Sequence, residues 1–235
     1  MQKQDHQKVM LPLSWSCGDP NTGHCYGTQF WGGANGADTR ISLNVHLNGG
    51  GSSNDFNNFS FVTTEMWLDS PNYTYWVEGG IISELEFTGE TFPFYFWADS
   101  RPNGGGFSFH YLGRETYSPG TALVRITRSG SSDWNFLLND GQNSFTGLST
   151  ANNFSVQYIE IGTELHNNYQ TAYEPNTYYT DNRWLNSGGG FQYQTNDGKF
   201  TNINYPAAAG WYNGQDPLHS STGGVWYSCI PGHGC

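Results

Sequence analysis

Two glutamates are set apart by their neighbours. Glu78 sits in WVEGGI, Trp76–Ile81, and Glu164 in VQYIEIGTEL, Val156–Leu165, each beside glycine and among aromatic or β-branched residues. Side chains alternate across a strand, so a strand over Tyr73–Ile82 puts Thr74, Trp76, Glu78 and Gly80 on one side. In Ser155–Leu165, the residues Val156, Tyr158, Glu160, Gly162 and Glu164 share a side, opposite the more apolar set containing Ile159, Ile161 and Leu165. Glu160 and Glu164 then lie about 13 Å apart along an ideal strand, with Gly162 between them. Glycine removes bulk and lets another chain or a ligand come close to the backbone. Two carboxyls held together in such surroundings suit acid–base work. Burial and proximity separate their proton affinities, so one is ionised and takes a proton from water while the other stays protonated and donates. Singly, each glutamate also fits a solvated residue on an exposed sheet face.

Other chemistry is thinly represented. The chain has no GxSxG elbow, no HExxH, no Walker loop and no GxGxxG opening a helix. Its seven histidines are scattered. The four cysteines form two close pairs near the ends, Cys17 with Cys25 and Cys229 with Cys235. No CxxC is present, and His24 and His233 complete no zinc pattern, so neither a metal nor another cofactor is expected. Two disulfides account for the cysteines better, paired within each end or across the termini, and either arrangement implies an oxidising compartment and secretion.

The elements that must position the glutamates are strands. Only 12% of the 235 residues are charged while 17% are aromatic, which excludes a disordered chain. Val, Ile, Thr, Phe, Tyr and Trp cluster between Gly, Asn, Ser and Asp, the pattern of many strands joined by turns. Expected strands are Ile41–Leu47, Phe59–Leu68, Tyr73–Ile82, Phe92–Asp99, Phe107–Leu112, Ala122–Arg128, Trp134–Leu138, Ser155–Leu165, Gly190–Thr195 and Val225–Cys229, with a hairpin turn at Asn196–Gly198. The fold class is therefore all-β, an antiparallel sandwich of jelly-roll or lectin-like type. Residues 1–40, rich in Gly and Asn, read as a wrapping segment, and residues 41–235 as a single β-sandwich domain. The net charge of −11 disfavours nucleic acid and anionic membrane as partners. No run approaches 18 apolar residues, so no membrane span is expected. Three sequons occur, at Asn58, Asn72 and Asn153.

WVEGGI, followed by ISELEFTGETFPFYFWAD at Ile82–Asp99, resembles the neprosin-type glutamic peptidases, which carry an I-E-x-G-W strand, a short loop and an aromatic F-x-Y-W-T strand. VQYIEIGTEL resembles their V-x-W-G-G-E-V strand and also the W-I-V-E strand of the eqolisins, whose first strand reads L-Q-A-G-V. The resemblance puts Glu78 on the first catalytic position and Glu164 on the second. It implies an antiparallel sandwich with the pair on a concave sheet, a polypeptide substrate, acid endopeptidase activity and, from the plant members, cleavage after proline. The family's paired cysteines after the aromatic strand have no counterpart here, and Ile161–Glu164 replaces W-G-G-E. Around the pair, Trp76, Tyr95, Trp97, Gly80 and Gly162 are the expected substrate-groove residues, with Asp99 as a supporting or turn residue and Glu84, Glu86 and Glu160 as fallback acids. A monomer is expected.

Two other classes fit the composition. A jelly-roll glycoside hydrolase would use two Glu across a concave sheet, with Glu65 of TTEMWL, Thr63–Leu68, opposite Glu164 or Glu160; the expectation for Glu65 is a surface strand residue. A lectin would stack sugars on some of the 9 Trp and 15 Tyr without needing two acids. Incubation with casein at acid pH should release peptides despite pepstatin, and Glu78→Ala should stop the release. Release of sugar from soluble polysaccharides, or retention on them, would favour the other two classes.

Overall fold

In Thr121–Ser129 and Asp133–Asn139 every second residue is apolar, and Ala122, Val124, Ile126, Trp134, Phe136 and Leu138 are all buried. The residues between them are half-buried or exposed, so this hairpin covers a core with one face and meets water with the other. The computed structural model describes residues 22–43, 61–84, 93–100, 106–114, 120–150, 154–166, 177–194, 200–202, 212–215 and 226–229. They form fifteen strands and no α-helix: β1 Thr22–Ala34, β2 Gly36–Ser42, β3 Phe61–Asp69, β4 Trp76–Glu84, β5 Pro93–Ser100, β6 Phe107–Arg114, β7 Thr121–Ser129, β8 Asp133–Asn139, β9 Ser144–Ser149, β10 Val156–His166, β11 Thr177–Leu185, β12 Phe191–Tyr193, β13 Phe200–Asn202, β14 Tyr212–Gln215 and β15 Trp226–Cys229.

The strands make two antiparallel sheets. One runs β13-β1-β10-β3-β4-β5-β6 and the other β14-β15-β11-β2-β7-β8-β9, with β12 added to β11. Their facing sides interleave Val62, Met66, Leu68, Val77, Ile81, Tyr95, Trp97, Ile159 and Ile161 with Ala37, Ile41, Val124, Ile126, Trp134, Phe136 and Tyr179. The fold is the expected antiparallel sandwich. One asymmetry governs the rest. β3 is buried on both faces from Val62 to Asp69, and β5 is buried on both except at Phe94. The first sheet thus carries a second protected surface, made of Thr63, Glu65, Trp67, Glu78, Ile82, Phe96 and Ala98, outside the core between the sheets.

The described part of the expected wrapping segment belongs to the sheets. β1 lies between β10 and β13, and the boundary expected at residue 40 falls inside β2. Glycines hid β1. The register with β10 shifts between Tyr26 and Thr28 and between Trp31 and Ala34, and Gly32 and Gly33 take φ of 84° and 69° at the second shift. Each bulge resets the two-residue alternation by which a strand is read. β9, β11, β13 and β14 also lie outside the expected set. β11 was obscured by its polar middle, where Asp181 at φ 53° interrupts the pairing with β2. Residues 196–198 fall outside the described residues. The strands flanking them pair in different sheets, β12 with β11 and β13 with β1, so they do not form the expected hairpin.

On the outer face of the second sheet, fully buried Asp38 accepts hydrogen bonds from Arg125 Nε (3.0 Å) and Nη2 (2.7 Å), and from Arg183 Nε (2.8 Å) and Nη2 (2.7 Å). Both guanidiniums also lie over the Phe191 ring, at 4.7 and 5.1 Å. One carboxylate therefore ties β2 to β7 and β11, and the ring of β12 caps the pair. Donation to Asp38 raises the proton affinity of the Arg183 guanidinium. Asp38→Ala leaves two cations facing each other, and should lower unfolding stability by about 2–4 kcal/mol in urea titrations. The figure stays below that for a fully buried pair because the arginines are 31% and 28% exposed.

Candidate active site

Three neighbouring strands, β10, β3 and β4, carry the acids. Cα pairing sets up cross-strand rows on the protected surface: Gly162–Glu65–Gly80, then Glu160–Trp67–Glu78, then Tyr158–Asp69–Trp76. Glu65 thus has a glycine on either side. A Cβ on Gly80 would stand 2.3 Å from the Thr64 carbonyl oxygen and 2.5 Å from Glu65 Cβ, so only glycine lets β3 and β4 pair here with a glutamate between them. Glu164 is offset one residue pair along β10, beside Thr63.

One carboxyl oxygen from each of Glu65, Glu78 and Glu164 lies within 4.8 Å of the other two. Glu78 and Glu164 are two strands and four residues apart, roughly 16 Å between Cα atoms on a flat sheet. Their carboxyl oxygens come within 4.8 Å of each other, so both side chains lean toward one another along this face. The Thr63 hydroxyl links the set, accepting the Glu164 backbone N–H at 3.0 Å and donating to Glu65 Oε1 at 2.7 Å. Exposure is graded: Glu65 0%, Glu78 5%, and Glu164 half-buried. Two ionised carboxylates at this separation repel by roughly 3–4 kcal/mol at an effective dielectric near 20. Carboxyls this close offset that repulsion with a shared proton or a bound cation. As a donor set, three carboxyls would otherwise suit only a hard, oxygen-seeking cation.

Beyond the trio the surface stays acidic and becomes aromatic. Glu160 is 3% and Asp69 6% exposed. Tyr73, at φ 55°, stacks on Tyr158 with ring centroids 4.8 Å apart and planes 8° apart. Burial, then Glu160, Tyr158 and Asp69, push the Tyr73 phenol far up, so it stays protonated. The turn before it is fixed by Ser70, whose hydroxyl donates to Asn72 Oδ1 and accepts the Tyr75 N–H.

The structure brings Glu78 and Glu164 together, with Trp76, Gly80 and Gly162 on the same face. Tyr95 and Trp97 require correction. They point the other way, into the core: Trp97 stacks on Phe136 of the opposite sheet at 4.6 Å, and Tyr95 donates to Asp140 at 3.2 Å. Pairing of Gly80 with Phe96 and Glu78 with Ala98 fixes the parity of β5, so Phe96 and Ala98 face the glutamates. Asp99 is likewise on the core side, where it accepts a short hydrogen bond from Ser149. The Glu84 side chain and Glu86 lie outside the described residues. Glu65 is not a surface residue; it is the most buried of the three clustered glutamates. Its signal was the run Thr63, Glu65, Trp67, Asp69 at a spacing of two, with a glycine-bearing strand on each side.

No protein-family model matches the chain, and no curated protein sequence matches it. Solved structures do. Scytalido-glutamic peptidase bound to a transition-state analogue inhibitor matches at TM-score 0.59 and 12% identity, over 89% of this chain and 100% of that one. The same peptidase with a peptide-based transition-state analogue gives 0.56 and 13%, over 89% and 99%. SCP-B, an eqolisin-family peptidase in complex with the tripeptide Ala-Ile-His, gives 0.49 and 14%, over 87% and 96%. The likeness is one of fold.

The two glycines of β4 allow a direct test of the close approach at Glu65. Gly80→Ala should cost about 1–3 kcal/mol of stability through overpacking. Gly79→Ala, whose methyl would meet Phe96, Phe136 and Val124 at ordinary distances of 3.4–3.8 Å, should change stability by less than about 1 kcal/mol. Thermal melts of the pair measure the difference.

Proposed function

We propose that this chain is a glutamic peptidase that hydrolyses peptide bonds with water activated between Glu78 and Glu164. The observation that carries the reading is the meeting of these two carboxyls, from strands far apart in sequence, on a protected face of a sheet. The fold shared with scytalido-glutamic peptidase along that protein's whole length supports it. The neprosin-like motifs and cleavage after proline rest on the sequence resemblance alone.

Roles follow from exposure. Glu164 is nearest to water and keeps charge at the lowest desolvation cost, so it serves as the general base. Glu78, 5% exposed, holds the proton. A water between them gives a proton to Glu164 as its oxygen attacks the scissile carbonyl carbon, and Glu78 hydrogen-bonds the developing oxyanion. The proton taken up by Glu164 passes to the amide nitrogen, the C–N bond breaks, and an acid and an amine leave. Acid pH favours the state with one charge among the carboxyls. Secretion, disulfide pairing of the four cysteines and action as a monomer complete the proposal.

The carboxyl spacing also falls near that of a retaining glycosidase, and that class is separated by substrate. The lectin reading is disfavoured on this surface, since Trp67 and Trp76 are buried and offer no open platform. Glu78→Gln and Glu164→Gln should each lower kcat on casein by about 10²–10⁴-fold, with unchanged melting temperature, and EDTA should have no effect. Near-normal activity in both variants would end the proposal; loss of activity in EDTA would replace the shared proton with a cation.

A further inference from the structure

Asn72, Tyr73 and Thr74 form an Asn-X-Thr sequon, and the chain holds it in the turn that joins β3 to β4. We propose that Asn72 is the acceptor of an N-linked glycan, attached through its Nδ2 at the end of the acidic face remote from Glu164. Delivery to the compartment where such glycans are added rests on the secretion named in the peptidase reading; the fitness of the site rests on the turn itself.

The first observation is exposure. Pro71 and Asn72 are exposed, while Ser70 before them and Trp76 after them are buried, so the turn lifts Asn72 clear of the sheet. A glycan is bulky and hydrated, and a surface position of this kind accommodates one. The second is orientation. The Thr74 backbone N–H can only donate, and it points to Asn72 Oδ1 at 3.2 Å; the Ser70 hydroxyl donates to the same oxygen at 2.9 Å. These two bonds fix which end of the carboxamide is oxygen. Nδ2, the atom that would carry the sugar, lies at the other end, and a bond formed there leaves both contacts intact. The third is definition of the loop. The Ser70 N–H donates to the Tyr75 carbonyl at 2.8 Å and the Tyr73 N–H to the Ser70 carbonyl at 3.0 Å. Tyr73, at φ 55°, commits its ring to the stack with Tyr158. The middle residue of the sequon is thus packed on the sheet while the asparagine stands in water.

The reaction takes a polyprenyl-diphosphate-linked oligosaccharide and a transferase of the secretory route. Asn72 Nδ2 forms a bond to C1 of the first sugar and loses a proton; the bond from C1 to the diphosphate oxygen breaks, and the lipid diphosphate leaves. Asp69 and Trp76 are the last pair of the hairpin, and Thr63, which binds the Glu164 backbone, lies six residues back along β3, about 20 Å. A glycan on Asn72 therefore stands at the opposite end of the face from Glu164.

The test is expression of the full chain behind a secretory leader in a eukaryotic host, with endoglycosidase trimming and mass spectrometry of the peptide that holds Asn72. The sequons at Asn58 and Asn153 fall outside the described residues, and reading by peptide keeps them apart from this one. Most copies of the Asn72 peptide should carry one residual N-acetylhexosamine, Thr74→Ala should abolish it, and Thr74→Ser should keep it. Removal of the whole glycan by peptide N-glycosidase leaves an aspartate with the same acceptor oxygen, so the melting temperature should not change. An unmodified Asn72 peptide overturns the proposal. A melting temperature that rises on removal does so too, since the folded turn would then be resisting the glycan. If the chain is held inside the host's secretory route, secretion fails as a reading, while the Asn72 peptide of the retained protein still decides the acceptor. A secreted glycoprotein that cleaves no casein ends the peptidase reading and leaves the glycan standing.

Discussion

Like charge at short range is the constraint around which this sheet is built. Three carboxyl groups, each with an oxygen within 4.8 Å of the others, are compatible with a folded chain only if protons or a cation offset their repulsion. The surroundings show how this is arranged. Glycines at 80 and 162 clear space on both sides of Glu65, and Thr63 fixes its orientation through one hydroxyl shared with the backbone of Glu164. None of these residues lies in the core, but each determines how closely β10, β3 and β4 can bring their acids.

The second sheet is where the fold keeps ordinary alternation. Its inner face supplies Val124, Ile126, Trp134 and Phe136 to the core, and its outer face is cross-linked by the buried Asp38 between two arginines. This division separates two demands. Packing between the sheets stabilises the molecule, and the far side of the first sheet can then carry charges and glycines that stabilise nothing. Trp97 and Tyr95 belong to the first demand and Glu78 to the second, although they stand on adjacent strands.

That division also explains what the sequence revealed. Parity placed Glu78 with Trp76 and Gly80, and Glu164 with Gly162, because the alternation around them is unbroken and the structure keeps those faces. It misled at Glu65, because Thr-Glu-Trp-Asp at every second position reads as a solvated face when the second protected surface is unknown. It misled at Tyr95 and Trp97 because residue type suggested a groove, while the facing of β5 depends on its register with β4, which no local pattern fixes. The strands β1 and β11 went unseen where bulges at glycines and at Asp181 broke the period. Local alternation was legible; pairing between distant strands, which decides what each acid meets, was not.

The gradient of exposure gives the trio a direction. From Glu65 through Glu78 to Glu164, the carboxyls run from fully enclosed to half-open. Desolvation penalises charge most at the enclosed end and least at the open end. In the proposed reaction a base must lose its proton readily, an acid must hold one, and a substrate must reach both from the same side. Burial alone ranks the three groups in that order. In the proposed reaction the same ranking favours the open end, where Glu164 is half-exposed while Glu65 is fully enclosed. The hydroxyl of Thr63, bonded to Glu65 and to the Glu164 backbone, ties the trio to the pairing of β3 with β10. A shift of this register would move Glu164 relative to Glu65 and Glu78, because only the pairing across β3 brings the three together.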